Sequence, residues 1–149
     1  MFNTLRRRTA ALVLALPLAV TLSACGNVPV EPHDEELPQE MQLNLGGTLV
    51  TVSDNGSYTP NPLILPVGAY EVSVVFRDDQ GEVMEIGDDE YRLDISSDDN
   101  SVLTYSSSSA FTGTLTASAA GGTAIRPQLF HIQEGHADFG PFPVAVTVQ

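Results

Sequence analysis

From residue 43 to the C-terminus, short runs in which apolar side chains tend to recur at every second position are separated by turn signals. No helical period of 3.6 runs through this stretch. A period of two places alternate side chains on opposite faces of a strand, so each run can bury one face and wet the other. Thr48-Leu49-Val50-Thr51-Val52 alternates and stops at Asp54-Asn55-Gly56, a turn triplet. Pro60-Asn61-Pro62 makes a corner before Leu63-Ile64-Leu65. Tyr70, Val72, Val74 and Phe76 then share a face, and Asp78-Asp79-Gln80-Gly81 turns the chain. Tyr91, Leu93 and Ile95 alternate with Arg92 and Asp94. Further strands are expected over 102–105, 111–117, 124–132 and 144–148, with Ala120-Gly121-Gly122-Thr123 as a hairpin turn. Seven to nine short strands predict an all-β fold, an antiparallel β-sandwich over residues 43–149. Two sheets that bury their facing sides give one core of suitable size for about 105 residues.

The first 42 residues follow another logic. Arg6, Arg7 and Arg8 precede an apolar run over residues 10–22, interrupted at Pro17. A basic head and a short apolar run have the form of an export leader. The run is well short of the ~20 apolar residues a membrane-spanning helix needs. Residues 25–42 contain Pro29, Pro32 and Pro38 among several acids, a composition that favours an extended, solvated linker. Fully extended, it reaches at most about 55 Å. His33 falls inside it, and one ligand in a flexible segment makes a poor metal site.

Between leader and linker stands Leu22-Ser23-Ala24-Cys25-Gly26. This resembles the lipobox of bacterial lipoproteins, a Leu three residues before the Cys with two small residues between. The resemblance implies that residues 1–24 are a signal peptide, removed between Ala24 and Cys25. It implies that the Cys25 sulfur carries a diacylglyceryl group, and that acyl chains such as palmitate hold the protein to a membrane. Two or three chains anchor stably where one does not. In enteric members of the family an Asp after the Cys marks inner-membrane retention. Gly26 stands there instead, which leans toward the outer membrane. The alternative is an ordinary secretory leader with an incidental cysteine. Cys25 is the single cysteine, so no intramolecular disulfide is available.

The strand region resembles the bacterial immunoglobulin-like domains of group 2, over residues 45–148. The matching elements are Leu65-Pro66-Val67-Gly68, the strand from Tyr70 to Phe76 with Asp78-Asp79-Gln80-Gly81, Ser97-Asp98-Asp99-Asn100-Ser101-Val102-Leu103, and Phe111-Thr112-Gly113-Thr114-Leu115-Thr116-Ala117 followed by Ala120-Gly121-Gly122-Thr123. The resemblance implies an immunoglobulin-like sandwich with a structural or adhesive role and no shared catalytic residues. Family members usually finish soon after that last motif, whereas this chain adds residues 131–149.

Charge excludes one class of partner. Nineteen acids face six arginines, and three of those arginines lie in the leader. Beyond residue 24 three arginines meet nineteen acids, a net charge of −16. Such a body repels phosphate backbones, which argues against nucleic acid.

Two clusters are candidate ligand sites. Phe130-His131-Ile132-Gln133-Glu134-Gly135-His136-Ala137-Asp138-Phe139 supplies two imidazoles and a carboxylate, His131, His136 and Asp138, within eight residues. Zn²⁺ or Cu²⁺ accepts such donors. The competing reading is structural, with these residues bonding neighbouring loops and Phe139 and Phe142 plugging the end of the sandwich. A blue-copper centre is excluded, because it needs a thiolate beside two imidazoles. The second cluster is an acidic belt of ten carboxylates from Asp78 to Asp99, opposed only by Arg92. Asp78, Asp79 and Glu82, or Asp88, Asp89 and Glu90, offer Ca²⁺ hard oxygen ligands, although the spacing is not that of an EF-hand. Against this, a charge run is most often a solvated face. Ser106-Ser107-Ser108-Ser109 reads as a loop, and no Ser sits in a Gly-x-Ser-x-Gly elbow. The sequence therefore points to a non-catalytic, lipid-anchored envelope protein with an unidentified envelope partner. Its alternative is a metal-binding periplasmic lipoprotein.

Overall fold

The computed structural model describes residues 37–149. The expected signal peptide (1–24), Cys25, His33 and most of the expected linker lie outside them. Eleven strands are formed: β1 (Glu40–Leu45), β2 (Thr48–Ser53), β3 (Tyr58–Thr59), β4 (Leu63–Leu65), β5 (Gly68–Arg77), β6 (Tyr91–Ser97), β7 (Leu103–Ser107), β8 (Thr112–Ala117), β9 (Gly121–His131), β10 (His136–Phe139) and β11 (Val144–Val148). No helix among the described residues is long and apolar enough to cross a membrane.

The protein is an all-β sandwich. One sheet runs β3-β2-β1-β5-β8-β7. In the other, β9 pairs with β6 along one side and with β10 and β11 along the other, and β4 adds to β11. The inner faces meet in one apolar cluster. Met41, Leu43, Val52, Phe76 and Leu115 come from the first sheet, and Leu65, Leu93, Ile125, Leu129 and Val146 from the second. Phe76 spans the gap, edge-on to Phe139 with centroids 6.3 Å apart.

Four details depart from the sequence expectation. The domain starts at Glu40, not residue 43, because Met41 alternates with Leu43 and Leu45 into the core. The described residues form eleven strands, not seven to nine; the extra ones include the two-residue β3 and the four-residue β10. The sandwich is not purely antiparallel, since β4 lies parallel to β11. That pairing joins segments about eighty residues apart, so no tight turn dictates its direction. Finally, residues 120–123 are not a hairpin turn. Gly121 and Gly122 already pair with β11, and the chain there crosses from the first sheet to the second.

The break between β10 and β11 positions the candidate site. Both strands lie along the same side of β9, separated by Gly140-Pro141-Phe142-Pro143. Pro127 stands opposite the gap, between Ile125, paired to β11, and Leu129, paired to β10. Having no N–H, it gives up a ladder bond where no strand is present to accept one. Gly140 (φ +79°) comes so close that an added Cβ would lie 2.6 Å from the Pro127 carbonyl oxygen.

Candidate functional site

The β9–β10 hairpin gathers the donors. His131 ends β9 and His136 begins β10, and the two are cross-strand partners. Facing residues of an antiparallel pair project to the same side, so the two imidazoles share a face. The loop between them is Ile132-Gln133-Glu134-Gly135. The Gly135 N–H donates to the His131 carbonyl at 2.9 Å, and Gly135 takes φ +74°. Glycine adopts that left-handed conformation without a Cβ penalty, which lets the loop close in four residues.

A bulge then changes the phase of β10. Ala137 faces Phe130, but Phe139, not Asp138, faces Leu129. The extra residue leaves both Asp138 and Phe139 turned toward the inner face. Phe139 enters the core, and Asp138 comes to lie beneath the imidazoles.

The resulting distances are short. His136 Nε2 lies 2.8 Å from Asp138 Oδ1 and 3.4 Å from Glu134 Oε2. His131 Nδ1 lies 3.4 Å from Asp138 Oδ2 and 3.7 Å from Glu134 Oε2. Ligand atoms of His131, Glu134 and His136 all fall within 4.8 Å of one another. Burial is graded: the side chains of His131 and Asp138 are 9% and 7% exposed, and those of Glu134 and His136 are 56% and 54% exposed. The group is thus a half-open cup with a buried floor.

Two neighbours define the floor. Tyr91 of β6, the other cross-strand partner of His131, lies with its ring 4.5 Å from the imidazole. Beside Asp138 opens a cavity of about 490 Å³, lined also by Met84, Ile86, Glu90, Tyr91 and Leu129. His131 Nδ1 is buried and has no hydrogen-bond partner; the approach of Asp138 Oδ2 is an ion-pair distance without hydrogen-bond geometry.

His131, His136 and Asp138, the donors that the sequence offers, come together in the structure. Glu134 joins them from the loop, its one sequence signal being its place between two histidines.

The acidic belt is arranged differently. Asp78 Oδ1 accepts the N–H groups of Gln80 and Glu82, closing its own turn. Asp94 accepts from Gln128 of β9 at 2.9 Å, and Asp99 accepts from the Ser101 N–H and hydroxyl. Asp98 pairs with Arg126 through two hydrogen bonds, which hold its carboxyl below the ordinary range and raise the guanidinium. Glu82, Glu85, Asp88, Asp89 and Glu90 are exposed. Among the described residues, neither triplet considered for Ca²⁺ forms a converging group of donors.

No protein-family model matches the sequence, and no curated protein matches it. Among solved structures, the chain is similar to domains 4 and 5 of the S-layer protein SbsC, with 16% sequence identity over 72% of this chain and 74% of that one, at a TM-score of 0.39.

Proposed function

We propose that this chain is a lipid-anchored protein of the cell envelope, and that its β-sandwich is a non-catalytic binding or structural module. The observation that carries the reading is Leu22-Ser23-Ala24-Cys25, placed after a basic head and a short apolar run. Acyl chains on Cys25 hold the protein at the membrane, most consistently the outer one given Gly26. The acidic, proline-containing segment after Cys25 spaces the domain from the surface. The immunoglobulin-like resemblance supports a role in presentation, with sheet edges or end loops meeting an envelope partner. The strong negative charge of the body supports a partner other than nucleic acid.

The test is the fate of residue 25. Native protein is expected to fractionate with membranes, to lack residues 1–24, and to carry diacylglyceryl mass on Cys25. Cys25→Ala is expected to lose the lipid and leave the membrane fraction unless the leader is retained. Native chain with a bare thiol and residues 1–24 still attached overturns the reading.

A further inference from the structure

The geometry points to a mononuclear site for a divalent transition metal, Zn²⁺ in the first instance, formed by His131 Nδ1, Glu134, His136 Nε2 and Asp138 at the β9–β10 hairpin. The inference is independent of the lipid anchor.

Three observations carry it. The first is spacing. A tetrahedral ion with bonds of about 2.0–2.1 Å has ligand–ligand edges of about 3.3 Å. Glu134 Oε2 lies 3.4 Å from His136 Nε2 and 3.7 Å from His131 Nδ1, close to that value, while Asp138 offers Oδ1 to His136 at 2.8 Å and Oδ2 to His131 at 3.4 Å. Ligand atoms of His131, Glu134 and His136 already lie within 4.8 Å of one another, on a backbone set by the His131–His136 pairing and the Asp138 bulge.

The second is an orphaned atom. His131 Nδ1 is buried, lacks a hydrogen-bond partner and faces the group. A buried polar atom left unpaired is costly, and native structures rarely keep one without a ligand, a water or an ion to meet it.

The third is charge. Two carboxylates, the nearly buried Asp138 and the exposed Glu134, face the same two imidazoles. The chain has no lysine. The arginines of the described residues are engaged elsewhere. Arg77 donates to the Gly81 carbonyl, Arg92 lies over the Phe130 ring at 4.8 Å, and Arg126 pairs with Asp98. A divalent cation meets both carboxylates and the orphaned nitrogen together.

Donor type selects the class of ion. Two imidazoles and two carboxylates, without thiolate, suit Zn²⁺ and its neighbours. Ca²⁺ prefers six to eight oxygen ligands, and Mg²⁺ an oxygen octahedron that keeps several waters. Bound metal ties the loop residue Glu134 to both strands of the hairpin.

The test is Zn²⁺ titration of the metal-stripped full chain in detergent, read by calorimetry and by metal analysis after dialysis. One saturable Zn²⁺ per chain is expected. Glu134→Gln and His136→Ala change exposed side chains, so their metal-free melting temperatures should match the parent while Zn²⁺ affinity falls by at least about tenfold. His33→Ala is expected to bind as the parent does. Absence of saturable uptake overturns the inference. So does uptake unchanged in both hairpin variants, or uptake abolished by His33→Ala. A cluster held only by protonated imidazoles against carboxylates gives the first of these results.

Discussion

The acidic belt and the β9–β10 hairpin both present oxygen donors close together in sequence, yet they differ in what the donors face. Belt carboxylates satisfy local needs. Asp78 and Asp99 accept from their own turns, Asp94 and Asp98 join the outer face of the β6–β9 pair, and the others point to solvent. The hairpin carboxylates face two imidazole nitrogens, one of them buried and unpartnered. Number of acids is therefore a poor guide to a site. Ten carboxylates along loops and a strand do not converge, whereas Glu134 of the hairpin loop and Asp138 of the bulge both face the paired imidazoles.

The largest effect that sharpens this contrast is packing beneath the hairpin. Phe139 contacts Phe76 and Phe142 edge-on and is 4% exposed. Phe139→Ala is expected to cost about 3–5 kcal/mol in urea unfolding. Asp88→Asn in the belt should stay within about 0.5 kcal/mol. Comparable losses at the two positions would break the distinction.

Next is the response to ions. Zn²⁺ at a hundred times its dissociation constant should stabilise the fold by about 2.7 kcal/mol. Millimolar Ca²⁺ at fixed ionic strength should leave the melting temperature unchanged. A shift with Ca²⁺ as large as that with Zn²⁺ would return the belt to consideration.

Smaller again is the turn. Gly135→Ala forces a Cβ into φ +74° and is expected to cost about 1–2 kcal/mol, with weaker Zn²⁺ binding. Gly81→Ala places similar strain (φ +80°) in the belt's turn and should leave Zn²⁺ binding alone.

The smallest effect belongs to the pair Asp98–Arg126. The hydrogen bonds from Arg126 lower the Asp98 pKa in the folded state. The pair's contribution is present above the ordinary carboxylate value of 3.8 and is lost as pH falls through the lower folded value. The two side chains are 40% and 48% exposed, so salt screens it. Asp98→Asn should remove a small increment at pH 6 in low salt and a smaller one as pH falls below 3.8. An equal effect at both would show that the charge is not responsible.

Much of the fold was legible because burial alternates wherever a strand is long. β5, β6, β8, β9 and β11 follow the period of two that their sequences carry. β1 was partly masked by the prolines and acids before it, although Met41 already belongs to its apolar face. β10 carries little signal, because its four residues include a bulge, and a bulge breaks the period that betrays a strand. Residues 120–123 misled for another reason. Two glycines look the same in a turn as in a strand that enters a second sheet, and only pairing with β11 tells them apart. At the site, His131, His136 and Asp138 stood out by residue type. Glu134 did not, because an acid in a turn normally faces water and only the facing histidines give it another role.

The most direct measurement is the long-range ¹⁵N–¹H spectrum of the histidine side chains, recorded on the metal-stripped chain and after one equivalent of Zn²⁺. The account predicts metal-induced shifts at Nδ1 of His131 and Nε2 of His136, with His33 unmoved. Zn²⁺ leaving both hairpin imidazoles unchanged, or shifting His33 alone, would contradict it.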